Sequence, residues 1–284
     1  MNQETEIDPE LEYDYNNMAR RPDAPELLQG LAERSAAYRQ RADAALDCRY
    51  GDGERERLDL FRCGARNAPL FVYIHGGYWQ RGDKSMYSYL AEPFNAAGID
   101  VAIVGYPLCP QVSMTQIVAS IRSALAWLWR NAGELGVDGR RINLCGHSAG
   151  GHLTAMALAT RWPDLGDDLP ADLLKSTIPI SGLYRLEPLL ATTISHLLQL
   201  TPEEVETLSP VNLAASGNAK MLIVVGGGET PAFFSQADDL VAAWSSPGLA
   251  IERHDDPGAD HFDVAVNLGD PKSALFRRVL DWLR

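Results

Sequence analysis

Cysteine is scarce in this chain: Cys48, Cys63, Cys109 and Cys145 are the four in 284 residues. None forms a C-x-x-C pair and their spacing matches no zinc template, so neither a redox dithiol nor a metal site is expected. At this length roughly three quarters of the unfolded surface is buried on folding, so no disulfide framework is needed. Unpaired thiols suit a reducing compartment, and the cytoplasm is the expected location. No apolar run approaches the about 18 residues that would span a membrane. The N-terminus, "MNQETEIDPELEYDY", is acidic with no apolar centre, so it does not read as a signal peptide. Positive charge is short too: 25 basic against 38 acidic residues leave a net charge of −13. Such a surface repels nucleic-acid phosphates and anionic lipid. A small-molecule partner is expected instead, and homo-oligomerisation stays open. There is no internal repeat and no low-complexity linker.

What is present is alternation. Residues 24–45 place Leu27, Leu28, Leu31, Ala32, Ser35 and Tyr38 near helical spacing, as a polar-faced helix. Residues 46–51 and 56–62 read as two strands around the turn "GDGE". From residue 69 strands and helices alternate. Strands are expected at 69–77, 100–107, 141–148, 173–182, 219–229 and 249–256. Helices are expected at 85–98, 114–136, 149–160, 231–246 and 272–284. Continuous apolar strands such as "PLFVYI" suit a sheet covered on both faces. The fold class is therefore α/β: a mostly parallel central sheet with helices on both faces. One domain spans 1–284, with an N-terminal helical extension (about 1–45) and a small irregular cap insert (about 183–218). In such sheets ligands bind beyond the C-terminal ends of the strands.

Those ends carry chemistry. "G-H-S-A-G" (146–150) sets Ser148 between glycines where a strand meets a helix. That pattern is the nucleophile elbow of α/β hydrolases. The glycines allow a tight turn, and the helix N-terminus favours developing negative charge. "HGG" (75–77) ends an earlier strand, where Gly76 and Gly77 can aim N–H groups at a substrate oxygen; with Ala149 they are the expected oxyanion hole.

Two histidines flank the serine. His147 is adjacent, and neighbours on a sharp turn point apart. His152 lies one turn into the helix, tucked toward the sheet. His261, in the late loop "PGADHFD", has the position that the chain order serine, acid, histidine requires. His254 lies in a strand pattern, His75 reads as a brace of the oxyanion loop, and His196 as surface. Glu229, after the strand ending in "GGG", is the expected acid; Asp255 and Asp256 are the alternatives. Asp238 is within a helix, and Asp260 adjoins the histidine too closely to face its ring. Tyr78 and Trp79 are expected as aromatic substrate wall, Arg81 or Lys84 as partners of a substrate carboxylate, and Tyr184 or Leu197 as lining from the cap. Such chemistry needs no metal or cofactor.

"HGGYW" (75–79), "GHSAGGH" (146–152), "GGGETPAFFSQ" (226–236), "GADHFD" (258–263) and "RYGDGERERLDLF" (49–61) together resemble the kynurenine formamidase (arylformamidase) family. The resemblance spans most of the chain. It implies an α/β-hydrolase-fold serine hydrolase that cleaves N-formyl-L-kynurenine to L-kynurenine and formate through a formyl-enzyme. It implies Ser148 as nucleophile, His261 as base, Gly76, Gly77 and Ala149 as oxyanion donors, and the acid at position 229. The family usually has Asp there; this chain has Glu229. The competing readings are a carboxylesterase acting on small aryl or alkyl esters, and a non-catalytic ligand-binding protein on the same scaffold.

Overall fold

The computed structural model describes residues 6–217, 219–245 and 249–283. Its strands are β1 (Ala44–Arg49), β2 (Arg57–Phe61), β3 (Leu70–Ile74), β4 (Asp100–Val104), β5 (Ile142–His147), β6 (Ser176–Ile180), β7 (Lys220–Gly226) and β8 (Ile251–Asp256). They form one eight-stranded sheet in the order β1-β2-β4-β3-β5-β6-β7-β8. The β1–β2 and β2–β4 pairs are antiparallel and the rest are parallel.

Period-two alternation divides the side chains between two cores. Leu70, Val72 and Ile74 of β3 join one core; Phe71 and Tyr73 join the other. The main helices are α1 (Pro9–Tyr15), α2 (Ala24–Arg39), α3 (Met114–Leu135), α4 (Ala149–Leu158), α5 (Pro231–Trp244), α6 (Asp263–Leu268) and α7 (Ala274–Leu283). Helices α3, α4 and α5 pack on the first face, through residues such as Ile117, Leu153 and Phe233. Helices α2 and α7 cover the second, through Leu31, Tyr38, Leu275 and Val279. Sharp signals hold the boundaries of α3: Ser113 and Gln116 form a reciprocal capping box, and Gly136 closes the helix at φ 71°.

The helix expected over 85–98 is instead a 3₁₀ stretch, Lys84–Leu90, running into a short α-helix, Ala91–Ala96. Ser35 of α2 explains the difference. Its hydroxyl donates to the Met86 carbonyl at 2.7 Å and accepts from the Tyr89 N–H at 3.1 Å. Both groups are thereby taken from an α-helical ladder. Helix α1 falls within the expected N-terminal helical extension, whereas α6 has no counterpart in the expected pattern. No helix among the described residues is long and apolar enough to cross a membrane.

Candidate active site

Strand β5 delivers Ser148 at φ 58°, ψ −120°, a left-handed conformation costly for a residue with a Cβ. Its N–H is anchored to the Ile180 carbonyl at 2.8 Å. The elbow glycines have steric reasons. A Cβ at Gly146 would lie 2.1 Å from the Gly150 carbonyl oxygen, and one at Gly150 would lie 2.0 Å from that of Ile74. Gly76 is similarly confined, since a Cβ there would meet the Ser148 Cβ at 3.0 Å. The Gly76 and Gly77 N–H groups have no acceptor among the described residues. Ala149 opens α4, where first-turn amides have no intrahelical partner.

Two further strand ends bring Glu229 and His261 together. Glu229 Oε2 lies 2.7 Å from His261 Nδ1, with both residues buried (8% and 4% exposed). The other carboxylate oxygen accepts the Gly226 N–H at 2.9 Å and the Ser181 hydroxyl. The longer Glu side chain thus reaches the imidazole and remains fixed at its other oxygen. The rival carboxylates are engaged elsewhere. Asp255 pairs with Arg253 at 2.7 Å, Asp256 accepts from Asn267 at 2.6 Å, and Asp238 pairs with Arg253. His254 stays on β8, 4.0 Å from Asp256. Ser181 was not singled out from sequence; its only signal is that it ends the apolar run "STIPIS".

The flanking histidines differ from each other. His152 is fully buried; its Nε2 bonds the Leu208 carbonyl at 2.7 Å and its ring meets Trp79 edge-on at 5.0 Å. Burial lowers it to about 4. His147 does not turn away from the site as expected. Its ring centroid lies 4.7 Å from that of His261, and both line the cavity with Ser148. Burial first, then the neighbouring His261, push its pKa well below the usual histidine range. His75 stacks between Tyr106 and Tyr87, 4.3 and 5.6 Å between centroids, and bonds the Gly76 carbonyl at 2.8 Å; burial lowers it to about 4.

These three neutral rings set a pH dependence of stability. Their folded pKa values lie below the ordinary 6.5. Protons therefore bind the unfolded chain first as pH falls, and stability present above about 6.5 is lost progressively toward about 4. For His75 and His152 that range is on the order of 3 kcal/mol each. Thermal unfolding followed from pH 7 to 4.5 should show a steep fall in Tm; a constant Tm across that range contradicts the buried neutral rings.

Ser148 and His261 share a cavity of about 270 Å³ with Gly76, Gly77, Tyr78 and Arg81. Trp79 is not brought to it; the ring is fully buried against His152. Lys84 is also elsewhere, buried on Asp47 (2.6 Å) and Asp59 (2.8 Å). Arg81 is exposed and has no ion pair among the described residues. From the cap, Tyr184 is buried in the core and Leu197 is exposed; neither reaches the cavity. The covering wall comes from the N-terminal extension: Asn17, Met18, Leu27, Leu28 and Leu31. The 183–218 segment holds that extension from behind. Asp8 N–H donates to Ala191, and Glu12 accepts from the Thr193 N–H and hydroxyl, all at 2.8 Å. The Tyr78 hydroxyl donates to the Tyr15 carbonyl, tying the oxyanion loop to the same extension.

Known proteins are similar to this chain in sequence and fold. The BD-FAE family model matches residues 58–180. The kynurenine formamidase of Salmo salar is 32% identical over 251 residues, covering 86% of this chain and 83% of its own. That of Danio rerio is 30% identical over 282 residues, covering 95% and 94%. A solved structure of a candidate thioesterase from silicibacter sp. tm1040 superposes with a TM-score of 0.79 at 36% identity, over 94% of this chain and 98% of its own. The chain is a hydrolase of the α/β-hydrolase fold and belongs to the kynurenine formamidase family.

Proposed function

We propose that this enzyme hydrolyses N-formyl-L-kynurenine to L-kynurenine and formate, a step of tryptophan breakdown, with Ser148, His261 and Glu229 as its catalytic triad. The observation that carries this reading is the 2.7 Å Glu229–His261 pair opening onto the cavity that Ser148 lines. Ser148 Oγ attacks the formyl carbon while His261 Nε2 takes the hydroxyl proton. Glu229 holds Nδ1–H and stabilises the imidazolium. The oxyanion turns toward the N–H groups of Gly76, Gly77 and Ala149; each such donor lowers the barrier by about 3 kcal/mol in related hydrolases. Collapse breaks the C–N bond, and His261 returns its proton to the aniline nitrogen. Water, deprotonated by His261, then cleaves the formyl ester and releases formate.

Met18, Leu27, Leu28, Tyr78, Met86 and Phe262 supply an apolar wall for the aryl ring. Arg81 at the rim is the available partner for a substrate carboxylate. Four free cysteines and a net charge of −13 support a reducing, cytoplasmic setting and argue against nucleic-acid binding.

The test is an acyl series on one aniline. The specificity constant should fall about tenfold or more at each step from formyl to acetyl to butyryl, since one methylene in a tight pocket is worth about 1–3 kcal/mol. A flat or rising series, with faster turnover of matched esters or thioesters, assigns the enzyme to ester chemistry instead.

A further inference from the structure

Arg21, in the turn between α1 and α2, makes a contact that the reaction described above does not use. Its Nη1 lies 2.7 Å from Asp260 Oδ1 and 2.7 Å from Asp263 Oδ1. Its guanidinium carbon sits 6.0 Å from the Phe262 ring centroid. These three residues bracket His261 on both sides. Asp260 Oδ1 also accepts the N–H groups of Phe262 (2.8 Å) and Asp263 (2.9 Å), while Asp263 Oδ2 accepts the Asp260 N–H at 3.3 Å. The loop is therefore a closed ring of hydrogen bonds in which two carboxylate oxygens converge on one cationic nitrogen. Without that cation the two carboxylates face each other unneutralised. The hydrogen bond to Asp263 foremost, with both carboxylates nearby, raises the Arg21 pKa above its ordinary value and keeps it charged.

We propose that Arg21 is a positioning residue for His261: it clamps the histidine loop to the N-terminal wall of the cavity and cancels the two carboxylates beside the imidazole. The proposal rests on His261 being the catalytic base. Because Arg21 follows Asn17 and Met18 in the same segment, one clamp seats the substrate wall and the base together. The polar and charged groups around His261 are Glu229 from the end of β7, His147 and Ser148 from the end of β5, and Asp260 and Asp263 from its own loop; Asn17, Tyr78, Arg81 and Tyr87 line the cavity it opens onto, and Tyr13, Arg20, Arg21 and Thr230 line the adjoining hollow.

Removing the Arg21 charge leaves two carboxylates that favour the imidazolium. The acidic limb of the kcat/KM profile should then move to higher pH. In Arg21→Gln, kcat on an aryl formamide should fall about ten- to a hundredfold, as for a base displaced by about an ångström. The limb should rise by about half a pH unit at low salt and less at high salt. Adding Asp263→Asn to Arg21→Gln removes one surplus carboxylate and should return the limb toward wild type. Arg21→Lys keeps the charge on a single nitrogen and should hold the limb in place, so it serves if the glutamine variant fails to fold. Arg130→Gln, which breaks the exposed pair with Asp168, is the control for loss of a surface ion pair and should move neither kcat nor the limb. A limb that stays put in Arg21→Gln, or one that ignores Asp263→Asn, overturns the positioning role. If His261→Ala stays active, the base assignment falls and this proposal with it. A dead His261→Ala beside a wild-type-like Arg21→Gln overturns this proposal alone.

Discussion

Ser148→Ala and His261→Ala each reduce kcat on an aryl formamide by about four to six orders of magnitude, and combining them costs little more. Non-additivity is expected because the two act as a unit: the hydroxyl is a poor nucleophile until the imidazole takes its proton. Both variants should keep a native circular dichroism spectrum, since each removes a small part of the site without opening the sheet. His147→Ala and His152→Ala behave differently. His152 braces the Leu208 carbonyl and Trp79, so its loss lowers Tm more than it lowers kcat. His147 lies against His261, yet burial keeps it neutral, and its loss should reduce the rate only modestly. A His147 variant as inactive as Ser148→Ala, with His261→Ala still turning over, would place the base on the elbow and sink the mechanism.

Glu229→Gln is the second large effect, with kcat falling about 10³–10⁴-fold while the fold is retained. The amide matches the carboxylate in size, but it can present its NH₂ to Nδ1 and stabilise the wrong tautomer. It also removes the negative charge that supports the imidazolium. The Ser181 hydroxyl and the Gly226 N–H hold the other oxygen, so the side chain should not swing away. Asp255→Asn and Asp256→Asn should stay near wild-type rates, because those carboxylates serve Arg253 and Asn267. A collapse in either of them, with Glu229→Gln near normal, moves the acid to the end of β8.

Residues at strand ends were legible in the sequence because backbone geometry demands particular residues there. Gly146 and Gly150 have no room for a Cβ, and the apolar run of β5 marks where Ser148 must emerge. Glu229 was legible for the same reason, standing where β7 stops. The covering wall was not. Leu27, Leu28 and Leu31 read as one face of an ordinary amphipathic helix, and nothing local distinguishes packing on the core from facing a cavity. Leu31 does both. The cap insert attracted attention because it is irregular, but irregularity shows only that a segment leaves the sheet, not what it covers. The Arg21 clamp carried no local signal, since Asp260 and Asp263 lie 239 and 242 positions away and the one local partner, Asp23, is exposed. Trp79 read as a neighbour of the oxyanion loop; at φ 57° its backbone directs the ring into the core instead.

That division has a consequence for how such an enzyme changes over generations. The proposed triad, Ser148, Glu229 and His261, stands just past strand ends where close-packed neighbours confine it, so substitutions there disturb the site itself. The wall over the cavity enters from the first forty residues, outside the sheet, and its cavity-facing positions are ordinary helix positions. Exchange of Met18, Leu27 or Leu28 leaves the hydrogen-bonded ladder untouched. Lineages can therefore inherit the same machinery and diverge in diet by editing one end of the chain, and an engineer seeking a new aryl substrate should begin a library there.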